Sequence, residues 1–205
     1  MKTILALAAV TVLAAGCMSQ RFEGDTQQRA EQAFREAFTH GNRQIAASVE
    51  QQDETQMLCT RYRNNPPREI AEKIEKSQAA TLHYPASGKM MGDWRQGEKI
   101  AQDGYGLRFT DPDTKRPNGG NCYACHRLSK QELSFGTMGP SLYRFGALRG
   151  TSEETQKYAF GRIYNSEAYS ACSNMPRFGH NGILTGEQIA HLVALLLDPE
   201  SPVNK

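Results

Sequence analysis

Cys122, Tyr123, Ala124, Cys125 and His126 stand in unbroken order as C-x-x-C-H, and no other stretch constrains the chemistry of the chain as tightly. Two thiols three positions apart fall on neighbouring sides of one helical turn. There they can form thioethers to the two vinyl groups of a haem, and the histidine that follows can turn its imidazole toward the iron. Other uses of these residues fit less well. A thioredoxin-like C-x-x-C needs a preceding strand and a buried strand–helix pattern, which the flanking residues do not supply. A zinc site needs a fourth ligand at metal spacing, and the chain has no second C-x-x-C and no H-x-x-x-H. A disulfide across two residues would leave His126 without a role.

One covalently attached haem c is therefore expected on Cys122 and Cys125, with His126 as one axial ligand. Met175 is the candidate for the other. Pro176 after it keeps the local backbone out of a helix, so the thioether can be presented from a loop. Most methionines are core filler, and His180 and His83 are the alternative ligands. A His/Met pair raises the reduction potential above that of a bis-His pair and suits electron transfer. Pro140, in Gly139-Pro140-Ser141-Leu142, has no N–H to offer, but its carbonyl is available to accept from His126 Nδ1–H. The same four residues also read as a simple turn.

Five cysteines in 205 residues is an odd number, and three remain after the motif. Cys17 ends Leu13-Ala14-Ala15-Gly16-Cys17, which follows Lys2 and an uncharged apolar run from Ile4 to Ala15. That run is too short to span a bilayer as a mature helix and reads as the core of a signal peptide. Residues 1–16 are thus expected to be a lipoprotein-type signal peptide, with Cys17 lipidated. Ordinary cleavage near Ala15, leaving Cys17 a plain thiol, is the alternative. Export places the chain in a compartment that permits disulfides, where Cys59 and Cys172 pair by default. A free, redox-active Cys172 is the other reading.

Lys and Arg number 24 against 22 Asp and Glu, a net charge of +2 that carries no footprint for nucleic acid. A mean hydropathy of −0.61 excludes a polytopic membrane protein. Residues 17–91 read as a polar tether and a helical extension. Helical spacing runs from Gln27 to Leu58, is broken by Pro66-Pro67, and resumes from Arg68 to Leu82. Pro85 to Gly92 is a linker, and residues 92–205 form the functional domain. Within it, short helices are expected over Arg95–Ala101 and Thr151–Asn165, with an irregular loop or hairpin over Gly104–Asn121. Thr185 and Gln188 form a capping-box pattern ahead of an apolar stripe of Ile189, Leu192, Val193 and Leu196, and Asp198-Pro199 stops that helix.

The haem motif together with Gly136-Thr137-Met138-Gly139-Pro140-Ser141-Leu142, Arg149-Gly150, Ile163-Tyr164-Asn165, Met175-Pro176-Arg177-Phe178-Gly179 and the run from Leu195 to Asn204 resembles the SoxX family. These are monohaem subunits of the thiosulfate-oxidising SoxAX cytochrome complex. The resemblance covers about Gly92 to the C-terminus. It implies an all-α domain of class I cytochrome c fold carrying an N-terminal helical extension, with His126 and Met175 as axial ligands and Thr137 to Leu142 under the proximal histidine. It further implies a periplasmic heterodimer with a SoxA-type subunit whose own haem is the reaction centre. That complex couples thiosulfate oxidatively to a cysteine of the SoxYZ carrier, as an L-cysteine S-thiosulfotransferase. This chain would contribute no catalytic residue of its own and would pass electrons to a downstream acceptor, held at a membrane by its lipid anchor. A stand-alone, membrane-tethered electron-shuttle cytochrome c is the alternative, and a haem-based sensor is a third possibility.

Overall fold

The computed structural model describes residues 25, 26, 28–37, 51–106, 108, 111 and 115–205. The expected signal segment, Cys17 and part of the expected first helix lie outside the described residues. Among the described residues the regular elements are all helical, with no strand, and no helix is long and apolar enough to cross a membrane.

Helix α1 spans residues 28–37 and is exposed along its length. Helix α2 (Glu54–Arg61) starts at a capping box. Asp53 accepts from the Gln56 backbone N–H at 2.8 Å, and the Gln56 side chain accepts from the Asp53 N–H at 2.9 Å. Its end comes before Pro66-Pro67, because Arg63 and Asn64 both turn into the left-handed region at φ of 50° and 59°. Helix α3 (Arg68–Ala79) stops short of Leu82, where the Thr81 hydroxyl donates to the Gln78 carbonyl and caps the last turn. Helices α2 and α3 share a small core of Cys59 and Ile74 that also takes in Cys172.

The larger core belongs to α4 (Trp94–Gln102), α5 (Phe145–Arg149), α6 (Glu153–Tyr164) and α7 (Gly186–Leu197). The box of Thr185 and Gln188 opens α7 as expected. The structure buries more of α7 than one stripe: Ala194, Leu195 and Leu197 are as inaccessible as Ile189 and Val193. A helix apolar on nearly every side is one with neighbours on nearly every side, and α4, α5, α6 and the C-terminal turn Pro202–Asn204 all pack on it.

The α4–α7 crossing is the most extensive of these pairings. Gly97 sits where a Cβ would overlap the His191 backbone carbonyl, so the two helices touch backbone to backbone. The entry to α4 is stitched to the same turn of α7. The Gly92 N–H donates to the Ala190 carbonyl at 2.9 Å, and the Asp93 N–H donates to His191 Nδ1 at 2.8 Å. From the far end of α4, the Ile100 carbonyl accepts from Gly120 N–H and the Asp103 carbonyl from Asn121 N–H, at 2.8 and 2.9 Å. These bonds deliver the chain directly into the motif beginning at Cys122. The intervening segment from Gly104 is irregular, with no hairpin among its described residues. Asp111, buried there, accepts from the Gly106 N–H and pairs with Arg108.

Because the crossing has no room for a methyl group, Gly97→Ala is expected to lower unfolding stability by about 1–3 kcal/mol, the usual cost of overpacking a tight core. Denaturant unfolding measures it. A change within error of zero would show that the helices can separate without penalty.

Candidate functional site

Cys122–Ala124 forms a short 3₁₀ turn, entered through Asn121 in the left-handed conformation at φ 46°. Cys122 and Cys125 are both free thiols, although their backbones are joined by the Cys125 N–H to Cys122 carbonyl bond at 3.1 Å. Burial pushes the Cys122 thiol up to about 12, so it is a neutral thiol at physiological pH. A redox-active C-x-x-C displays the opposite, a nucleophilic thiol of depressed pKa. Among the described residues no group of three or more His, Cys, Asp and Glu side chains gathers to hold a metal ion, these three motif residues included.

The segment from Gly136 to Leu142 runs back alongside the motif. The Gly136, Gly139 and Leu142 N–H groups donate to the Tyr123, Cys125 and Arg127 carbonyls, each at 2.8 Å. Gly139 lies flat against the His126 ring, where any side chain would collide with the imidazole. His126 Nδ1 is 2.7 Å from the Pro140 carbonyl oxygen. A carbonyl can only accept, so Nδ1 carries a proton, and of the two neutral tautomers this contact selects the one with its lone pair on Nε2, which a metal ligand needs. Pro140 therefore does more than form a turn.

Met175 borders the main core together with Cys122, Leu142 and Tyr164. Its backbone is held on both sides. The Ser166 hydroxyl donates to its carbonyl at 2.6 Å, and its N–H donates to Ser173 Oγ at 3.2 Å. The side chains present thus fit a covalently bound haem: two unpaired thiols, an imidazole with one nitrogen committed and the other open, and a methionine with a fixed backbone on the same core. Of the alternative ligands, His83 meets Tyr164 edge-on at 6.1 Å. His180 lies near Arg177, where burial, the guanidinium and His83 hold it below the usual imidazole range despite Asp53.

Cys59 and Cys172 are joined in a disulfide, with Cα atoms 5.4 Å apart. That bond is the pairing expected from the sequence; the other ties between the extension and the Met175 segment are ones that sequence reasoning did not find. Arg177, buried to 5% exposure, donates to Asp53 Oδ2 at 2.6 Å and to Gln78 Oε1 at 3.3 Å. Asn165 Nδ2, fully buried, donates to Gln78 Oε1 at 2.8 Å and to Thr81 Oγ1 at 2.9 Å. Arg177 and Asn165 stand inside the motifs that carry the family resemblance. Gln78 sits in a polar helix with no local signal to mark it.

Next to this network, Glu167 is buried with Oε2 lacking a hydrogen-bond partner. A polar cavity of about 280 Å³ opens beside it, lined by Glu167, the disulfide, Gln52, Gln56, Thr60, Asn64, Ser173 and Asn174.

No known protein-family model matches the chain. It is similar to an uncharacterized lipoprotein of Aquifex aeolicus (strain VF5), 39% identical over 162 residues that span 75% of this chain and 73% of the relative.

Burial raises the Glu167 carboxyl above its ordinary range, Arg177 pulls it back and Asp53 raises it again, with a net upward shift. A carboxyl raised on folding adds most stability below its unfolded pKa of about 4.3, and that contribution is lost as pH rises through the folded value. Glu167→Gln is therefore expected to be more stable than the parent at pH 7, with a flatter stability profile above the carboxylate range. Urea midpoints across a pH series check this. Parallel profiles for the two proteins would show that Glu167 ionises at no cost.

Proposed function

The chain belongs to the same family as this Aquifex aeolicus lipoprotein, and we propose that it is an exported, lipid-anchored electron carrier bearing one haem c on a domain of class I cytochrome c fold. The observation that carries the reading is the arrangement at the motif. Two free thiols flank a turn, and the adjoining imidazole has Nδ1–H donated to the Pro140 carbonyl, leaving Nε2 open. Lipid attachment at Cys17 is supported by the Leu-Ala-Ala-Gly-Cys sequence and by the name of the relative.

In this proposal Cys122 and Cys125 would hold the haem covalently, and His126 and Met175 would ligate its iron. A haem c bound there supplies a one-electron couple between ferric and ferrous iron. The protein's residues tune and protect it. Pro140 fixes the orientation of the His126 ring and raises its basicity through the Nδ1–H bond. Gly139 lets the loop close over that ring. Ser166 and Ser173 hold the Met175 backbone, and the apolar core around Leu142 and Tyr164 keeps water away, which favours the higher potential of a His/Met pair.

The resemblance of its motifs to those of the SoxX family supports a more specific role. The chain would be the electron-exit subunit of a SoxAX-type complex, paired with a SoxA-type cytochrome in the periplasm. Joining thiosulfate to a SoxYZ cysteine on the partner releases two electrons. This subunit would carry them onward one at a time to its acceptor.

The test begins with the full chain produced in the periplasm of a host that attaches c-type haem. One covalent haem per chain is expected by pyridine haemochrome, and Met175→Ala should abolish the weak red charge-transfer band of methionine-ligated ferric haem. Absence of haem, or an unchanged band in the variant, would overturn the haem assignment or the ligand assignment respectively. Co-expression with a SoxA-type subunit should yield a heterodimer. A chain that isolates alone and exchanges electrons with an oxidase without regard to thiosulfate is the stand-alone shuttle instead.

A further inference from the structure

The segment that carries Met175 is gripped from outside its own domain. We infer that the helical extension ahead of Gly92 positions the Met175 thioether, with Gln78 and Asp53 as positioning residues. The inference rests on the haem reading above and adds a part of the chain that the motifs do not touch.

Between Ala168 and Gly186 the chain has no helix, so its shape depends on what ties it down. Ser166 and Ser173 hold the Met175 backbone from within. The remaining grips come from α2, α3 and their flanks. Cys172, three residues before Met175, is bonded to Cys59 of α2. The Ala171 N–H donates to Glu75 Oε1 of α3 at 3.1 Å. Arg177, two residues after Met175, is fastened to Asp53 at the start of α2 and to Gln78 of α3. Asn165, on the other side of the segment, is fastened to Gln78 and Thr81.

Gln78 is the hub. Its single Oε1 accepts from Asn165 before the methionine and from Arg177 after it, while its Nε2 donates to Thr55 of α2 at 2.9 Å. The position is 8% exposed, so donors that lose this acceptor find no water in its place. The grips close the segment on both sides of the ligand, and the cost of moving Met175 off the iron includes breaking them. The strength of the methionine–iron bond is then set partly by α2 and α3.

The readout is how readily an exogenous ligand displaces Met175, measured by titrating the ferric full-length protein with imidazole. Gln78→Met removes the shared acceptor at similar volume and should tighten apparent imidazole binding about tenfold, the factor that ~1.4 kcal/mol represents. Gln78→Glu keeps an acceptor for both donors and should restore parental affinity. Asp53→Asn keeps a good N-cap but loses the ionic partner of Arg177. It should shift imidazole binding in the same direction by a smaller factor, and it carries the test if Gln78→Met does not fold. Thermal midpoints are recorded alongside. A parent protein with the Met175-dependent band, and variants that lose stability at unchanged imidazole affinity, would overturn the positioning role alone. A parent protein without that band overturns the haem-ligand reading and this inference with it.

Discussion

The crossing of α4 over α7 at Gly97 is the contact from which the candidate site takes its place. Backbone meets backbone there, so the distance between the helices has no slack. Everything that follows α4 is laid out from that fixed line. The two carbonyls at its end receive Gly120 and Asn121 and set the Cys122 turn in position. On the other side, α7 is buried almost all round. Its last carbonyls are capped by Asn204 Nδ2, which donates to Leu196 and Asp198, while Asn204 Oδ1 accepts from the Ala147 N–H at the start of α5. One tight crossing thus anchors both the motif and the end of the chain.

The Met175 segment depends on a second and different kind of contact. The main core is apolar and non-directional, so it can tolerate small shifts of a loop on its edge. The network of Gln78, Asn165 and Arg177 is polar and buried, with the exposed Asp53 at its edge, and each bond in it has a required direction. Such a network specifies one arrangement of the Met175 segment where apolar packing alone would permit several. It also explains why α2 and α3, polar on most of their surface, are bound to the domain at all: their shared core with Cys172 is small. The extension holds its place through directional bonds and the disulfide more than through buried area.

Much of this was legible in the residues themselves. The capping box of α7, the stop at Asp198-Pro199, the extents of α4 and α6 to within about two residues, and the proline break between α2 and α3 all follow from local rules. The departures have physical causes. Helix α2 ends at the left-handed pair Arg63–Asn64, ahead of the prolines, because a backbone reversal brings α3 back beside it. The apolar stripe of α7 understates its burial because a stripe counts one contacting face and α7 has several. Gln78 and Asp53 read as surface residues of a polar helix and a cap. Their buried partners lie about a hundred residues away, beyond any local pattern.

The amino-acid sequence by itself determined the positions of α4, α6 and α7, the thiol–thiol–imidazole motif and the Met175-Pro176 pair outside any helix, because each depends on spacing along a few residues. The tertiary structure decided between readings the sequence left open: Pro140 as acceptor for the His126 ring over a simple turn, and Cys59 bonded to Cys172 over a free thiol. It also decided that the extension shares in holding the Met175 segment. These depend on distances across the fold, and such distances exist only after the α4–α7 crossing and the buried Gln78 network have closed it.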